Sequence, residues 1–136
     1  MNENELSNIV IGAAIEVHQQ LGPGLLETAY HQCLARELSL RSIPFETEKS
    51  IPLNYKDVSL DCGYRLDFLI DDKLILELKT VETILPIHEA QMLTYIKLTG
   101  CKLGLILNFN VAVLREGIRR LALNLWIFFA SFAPLR

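Results

Sequence analysis

Two acidic residues and a lysine in the middle of the chain stand where neighbouring strands would bring them together. Asp67 lies in the alternating run 64–70, and Glu77 and Lys79 end the run 74–79. A three-residue turn at 71–73 places Asp67 opposite Glu77, whereas a two-residue turn would put them on opposite faces and scatter the apolar residues. In the first register the facing pairs are Ile70–Leu74, Phe68–Leu76 and Leu66–Leu78 on an apolar face, and Leu69–Ile75, Asp67–Glu77 and Arg65–Lys79 on the other. The apolar pattern therefore predicts two carboxylates side by side.

Like charges directly opposite each other destabilise a sheet, so something should offset this pair. A divalent cation is the simplest candidate, because hard cations such as Mg²⁺ take carboxylate oxygens as ligands. Lys79, two residues after Glu77, lies on the same face. The alternative interpretation is a solvated polar face with mixed salt bridges.

Two further polar pairs stand at helical spacing. Glu27 and Tyr30 are one turn apart, just after a Gly-Pro-Gly break, where the helix dipole tolerates a carboxylate without any further role. Gln91 and Tyr95 are four residues apart, and His88 precedes Gln91 by three. These three residues form a polar stripe on a helix whose other side is apolar, and an ordinary solvent-facing side is the alternative.

The elements that must position these residues follow from periodicity and from turn residues. The pattern predicts helices over 4–20, 25–40, 87–98 and 113 to about 125, and strands over 45–53, 64–70, 74–79 and 103–107. This α-α-β-β-β-α-β-α order predicts an α/β or α+β fold around one mixed sheet.

Composition bounds the class of protein. A chain of 136 residues, 51% of them apolar, suits a single domain over 1–136 with its own core. Three separated cysteines without a CxxC pair argue against a zinc ribbon or a disulfide scaffold and favour a reducing, cytoplasmic setting. The acidic start is untypical of a signal peptide, and the apolar stretch 121–133 is too short to span a bilayer, so no membrane association is expected.

Charge is unevenly distributed. Residues 1–90 carry 7 Lys/Arg against 15 Asp/Glu, whereas residues 91–136 carry 6 Lys/Arg against 1 Asp/Glu. An acidic front and a basic back could serve a metal site beside a polyanion, and chance surface charge is the alternative.

The run 24–30, Gly-Leu-Leu-Glu-Thr-Ala-Tyr, resembles the signature of the GxxExxY proteins, which belong to the PD-(D/E)XK nuclease superfamily. Asp67 with Glu77-Leu78-Lys79 resembles the central D…ExK pattern of that superfamily, and Gln91 to Tyr95 resembles the QxxxY helix of its RecB-like branch. The resemblance covers residues 4 to about 121. It implies a restriction-endonuclease-like core, with a mixed central sheet flanked by helices.

The resemblance also implies a metal-dependent phosphodiesterase site. Asp67 and Glu77 would hold Mg²⁺ or Mn²⁺, with Glu27 and the main-chain carbonyl of Leu78 as further ligands. Lys79 would orient the attacking water or stabilise charge in the transition state. Two residues, Gln91 and Tyr95, would hold the site or the phosphate backbone, with His88 in support.

Nucleic acid, DNA rather than RNA, is the expected partner. The candidate contacts are Tyr30, Arg65, Lys97, Lys102, Arg115, Arg119 and Arg120. A solvated basic face is the alternative for the five of these candidate contacts that follow residue 90. The same fold can also persist as a non-catalytic binding or assembly module, and the aromatic tail 122–136 could join two copies into a homodimer.

Overall fold

The computed structural model describes residues 1–123, which form a five-stranded mixed sheet with helices on both faces. The helices are α1 (Glu3–Leu21), α2 (Glu27–Leu40) and α3 (Pro86–Thr99). The strands are β1 (Phe45–Ser50), β2 (Leu53–Tyr55), β3 (Val58–Leu60), β4 (Arg65–Ile70), β5 (Leu74–Lys79), β6 (Leu103–Asn108) and β7 (Ile118–Ala122). Among these residues, no helix is both long and apolar enough to cross a lipid bilayer.

The sheet has the order β1-β4-β5-β6-β7. Only β5 and β6 run parallel, and α3 makes the crossover between them. Because both faces of these two central strands are covered, their sequences read as nearly continuous apolar runs. The predicted mixed sheet flanked by helices is confirmed.

Two apolar clusters hold the helices to the sheet. On one face, α1 and α2 pack against Phe68, Leu76 and Leu105. On the other face, α3 packs against Ile75 and Ile106. The end of β5 that carries Glu77 and Lys79 therefore lies between the two helical layers.

The predicted turn between β4 and β5 is confirmed. Ile70 pairs with Leu74 and Phe68 with Leu76, as a three-residue turn requires. Asp71 and Asp72 adopt left-handed conformations, with φ of 49° and 55°. Aspartate tolerates this region better than most residues, since its short side chain can bond to nearby backbone.

The predicted face of Leu66 is wrong. Leu66 packs in the cluster around α3, although Phe68, two residues later, packs in the cluster around α1 and α2. The alternation of β4 therefore breaks at Asp67, and the paired register with β5 stops at Phe68. The neighbouring strand is distorted at the same level, because Glu48 of β1 has a φ of 52° and does not pair with Asp67.

The predicted final helix from Val113 is also wrong over the described residues. A short 3₁₀ turn, Leu114–Gly117, leads instead into β7, which pairs antiparallel with β6. Ile118 and Leu121 are three residues apart, which suits a helix, and in β7 they pack into the clusters on opposite faces of the sheet. However, β6 is buried along its whole length, and its backbone groups need partners on both edges. The need of buried β6 for a second neighbour therefore explains why residues 118–122 form a strand and not a helix.

A small hairpin was missing from the prediction. The predicted strand 45–53 ends at Ser50, and β2 pairs with β3 through a tight turn at Lys56 and Asp57, both with positive φ. Its two central residues include neither glycine nor asparagine, which are the usual sequence signals of a tight hairpin turn. The aromatic tail, with its proposed dimer contact, lies outside the described residues from position 124 onward.

Candidate functional site

The backbone pairing of β4 with β5 stops before Asp67 and Glu77. At this level the side chains of Asp67 and Glu77 accept the hydrogen bonds that backbone N–H groups donate. The Leu78 N–H donates to Asp67 Oδ2 at 2.8 Å, and the Asp67 N–H donates to Glu77 Oε1 at 3.4 Å. The two carboxyl groups therefore lie in the opening between the strands. The predicted Asp67–Glu77 neighbourhood is present, although it arises from a break in the ladder and not from its continuation.

Glu77 is the more deeply buried of the two acids, with 7% of its surface exposed. Burial raises its pKa to about 9, and the charge of Asp67 and a hydrogen bond with it add to the effect. The carboxylate form of Glu77 is thus costly in the absence of a cation. A positive ion beside this pair would stabilise the charged form.

Lys79 supplies a positive charge on the same strand. It is half-buried at the end of β5, and its ammonium group lowers the pKa values of Glu27 and Glu77 against the larger raising effect of burial. The chain that follows is fixed by Asn108, whose amide bonds to both the N–H and the carbonyl of Val81. Sequence reasoning overlooked Asn108, although a polar residue closing a fully apolar strand is a usable signal.

Glu27 begins α2 and lines a cavity together with Asp67. Burial raises the pKa of Glu27, and the charge of Asp67 raises it further. The loop before this helix is held by Tyr30, whose hydroxyl donates to the Gly22 carbonyl at 2.5 Å and accepts from the Leu25 N–H at 3.2 Å.

The prediction that Tyr30 contacts nucleic acid is therefore wrong. Its side chain is completely buried, and its hydroxyl already donates one hydrogen bond and accepts another. Its ring stacks on Phe109 with 4.5 Å between centroids. Tyr30 instead fixes where α2 begins, and this places Glu27 at the site.

The same cavity contains a pair that sequence reasoning missed. His31 follows Glu27 by four residues, so both lie on one face of α2, and its Nε2 is 3.3 Å from Glu48 Oε1. The imidazole also packs on Phe68, with 4.5 Å between ring centroids. Helical spacing could have identified His31, but nothing in the sequence predicts the strained backbone that carries Glu48.

On the other side of the sheet, α3 contributes the predicted polar stripe. Tyr95 is buried, and its pKa is raised by burial and then by the charges of Glu77 and Asp67. Gln91 is exposed on the same cavity wall as Tyr95 and His88. His88 also caps the helix, because its Nδ1 accepts a hydrogen bond from the Leu85 N–H.

The predicted cationic contacts do not form one surface. Because β7 is a strand, neighbouring residues point to opposite faces: Arg119 reaches Glu89 on α3, whereas Arg120 bonds to Ser7 and Asn4 on α1. Arg119 and Arg120 therefore lie on opposite faces of the sheet and do not share one basic surface.

The remaining cations are also dispersed. Lys102 stands one residue before Leu103, which pairs with Leu74, so it lies six strand residues, about 20 Å, from the level of Lys79. Arg65 is exposed at the start of β4 and Lys97 is exposed near the end of α3, while Arg115 lines a cavity with His18.

The carboxylate pair suits a hard divalent cation in its donor chemistry. Asp67 and Glu77 offer adjacent carboxylate groups whose mutual repulsion a cation would remove. Within residues 1–123, no three His, Cys, Asp or Glu side chains converge closely enough to form a metal-binding group. The donors therefore fit an ion held by two carboxylates and completed by water, main chain or substrate, while the ligand roles of Glu27 and of the Leu78 carbonyl stay predictions.

Comparison with known proteins agrees with this arrangement. A family model described as the PD-(D/E)XK nuclease superfamily matches residues 4–121. No curated protein and no solved structure matches the chain significantly. Apart from Glu3 and Ala122 at its two ends, the matched range includes all the helices and strands described above, and it confirms the expected fold class. The chain belongs to the PD-(D/E)XK nuclease superfamily.

Proposed function

We propose that this protein is a divalent-metal-dependent nuclease that hydrolyses phosphodiester bonds, in DNA rather than RNA. Membership of the superfamily implies nuclease-type chemistry on nucleic acid, and nucleases of this kind typically use divalent metals. The observation that carries the proposal is the Asp67–Glu77 pair in the opening between β4 and β5, with the Lys79 ammonium close enough to lower the pKa of Glu77.

Each residue of the site has a separate task in this proposal. Asp67 and Glu77 hold Mg²⁺ or Mn²⁺, which supplies a Lewis acid that activates water and offsets charge on the phosphate. Lys79 orients the attacking water and stabilises the negative charge that develops on the phosphate. Glu27 adds a carboxylate on the α2 side, and Gln91 and Tyr95 bound the site on the α3 side.

One observation favours the alternative, a non-catalytic binding or assembly module. The three carboxylates Glu27, Asp67 and Glu77 do not form a compact metal-binding group among the described residues. A site with only two acidic ligands depends more heavily on substrate and water to complete the coordination of the ion. Binding of nucleic acid without cleavage in any metal would establish this alternative.

A cleavage assay separates the two functions. Single-stranded and double-stranded DNA and RNA are incubated with the protein in Mg²⁺, in Mn²⁺ or in EDTA. We expect metal-dependent cleavage of DNA, and we expect Asp67→Asn and Lys79→Ala each to lower it by about 100-fold or more.

The matched control is Asp61→Asn. Asp61 accepts a hydrogen bond from the Gly63 N–H in an exposed loop, and asparagine keeps that acceptor just as it keeps the acceptor for Leu78 at position 67. The control should cleave like the unmodified protein. Cleavage that survives both site substitutions would come from a contaminant and would contradict the proposal.

A further inference from the structure

A cavity of about 410 Å³ lies on the α3 side of the sheet. Tyr95 lines this cavity and is also near the carboxylate pair, because the charges of Glu77 and Asp67 raise the pKa of its hydroxyl. The other wall is Tyr64, just before β4. A group seated here would therefore belong to a substrate whose phosphate lies at the carboxylates.

Tyr64 is held as a rigid aromatic platform. Its carbonyl accepts a hydrogen bond from the N–H of buried Ile51 at 2.9 Å, and its ring meets that of Tyr95 edge to face at 6.3 Å. Tyr64 keeps 38% of its surface exposed. These contacts reduce the conformational entropy that is lost when a flat partner stacks on it.

The lining of the cavity is uncharged. Among the described residues, no Lys, Arg, Asp or Glu side chain lines it. Two tyrosine rings and Ile87, which is 68% exposed, give apolar contact, while Gln91, Thr94 and His88 give hydrogen-bonding groups. A phosphate would find no cation here, whereas a nucleobase has apolar faces and a polar edge that match both kinds of group.

We propose that this cavity is a nucleobase subsite, which takes one unstacked base next to the phosphate bound at Asp67 and Glu77. The location of that phosphate rests on the proposed nuclease function. A base can enter such a cavity only when it has left the stack of a duplex. The preferred substrate class is therefore single-stranded nucleic acid, or the splayed end of a duplex, and not an intact double helix.

Binding in EDTA tests the subsite without any contribution from cleavage. The full chain is titrated into fluorescently labelled oligodeoxythymidine, an abasic strand of the same length, and a blunt duplex, with anisotropy as the readout. We expect the thymidine strand to bind at least about tenfold more tightly than the abasic strand, which is the order of one base stack. Tyr64→Ala should remove that difference, and Tyr64→Phe should keep it.

Tyr55→Ala is the matched control. Tyr55 is 60% exposed on β2 and does not line the cavity, so its loss should leave the preference for bases unchanged. The subsite is overturned if the single strand does not bind, if abasic and thymidine strands bind alike, if the duplex binds as tightly as the single strand, or if the two alanine variants behave alike. Absence of metal-dependent cleavage would count against the nuclease alone, because the binding experiment does not use it.

Discussion

The carboxyl groups of Asp67 and Glu77 lie together at the point where the ladder between β4 and β5 is interrupted. There they accept hydrogen bonds from backbone N–H groups. The amides of Asp67 and Leu78 each donate to one of them, and this offsets part of the repulsion. Burial nevertheless raises the pKa of Glu77 to about 9 in the metal-free protein, which favours its protonated form at neutral pH. Because a carboxylate must be deprotonated to bind a metal ion, binding of a cation at this pair would release the proton of Glu77.

The stability of the metal-free protein should therefore fall with rising pH because of Glu77. Its pKa is 4.5 ordinarily and about 9 in the fold, so the folded state binds the proton more tightly than the unfolded state does. This contribution is complete below about pH 4.5 and is lost as the pH rises towards 9. We expect Glu77→Gln, which carries no titrating proton, to flatten the decrease. Urea unfolding in EDTA across this pH window measures it.

Glu82→Gln makes the same chemical change at an exposed position just after β5 and should keep the slope of the unmodified protein. Parallel pH profiles for Glu77→Gln and the unmodified protein would contradict the assigned protonation of Glu77.

The start of α2 is the element that carries Glu27 to the site. Its first residues have no side-chain cap, and the preceding loop is held by the Tyr30 hydroxyl, which joins the Gly22 carbonyl to the Leu25 amide. This contact gives a physical reason for a glutamate and a tyrosine one turn apart: the tyrosine fixes the helix start, and the glutamate at that start reaches the cavity.

Tyr30→Phe should lower the free energy of unfolding by about 1 kcal/mol, because it removes the hydroxyl that satisfies two backbone groups. It should also lower metal-dependent cleavage, since the start of α2 is no longer fixed. Chemical unfolding and the cleavage assay measure the two effects. Tyr55→Phe, on an exposed tyrosine, should change neither, and an unaltered Tyr30→Phe protein would remove the loop-holding role.

At the scale of the whole molecule, the cations between residues 91 and 123 are spread over both faces and both ends of the sheet. Arg120 serves α1, Arg119 serves α3, and Lys102 lies at the end of the sheet away from Lys79. A net charge of −3 adds no long-range attraction for a polyanion. In the proposed function, recognition of nucleic acid would therefore depend on local groups around the site, such as the uncharged cavity on the α3 side.

The proposed homodimer rests on the aromatic tail, which lies beyond the described residues. Trp126, Phe128 and Phe129 form the apolar sequence that we expect to join two copies. Gel filtration with light scattering should find the full chain as a dimer and a chain of residues 1–123 as a monomer. Circular dichroism checks that the shortened chain is folded, and the same oligomeric state for both would contradict the tail contact.

Sequence by itself determined the elements whose pattern has a single solution. The three helices and the hairpin of β4 and β5 follow from periodicity and from one turn at 71–73, because only that register puts the apolar residues into layers. The same register predicted Asp67 and Glu77 as neighbours with Lys79 on the same face, although the pair itself arises where the ladder breaks.

Only the tertiary structure decided the features that depend on distant partners. Residues 118–122 became a strand because buried β6 needed a second neighbour, and this separated Arg119 from Arg120. Tyr30 became a buried support and Tyr64 an exposed platform according to what packs around them, which neither side chain reveals by its type. Local periodicity records which residues share a face of an element, whereas the pairing and covering of elements are settled by the free energy of the complete fold.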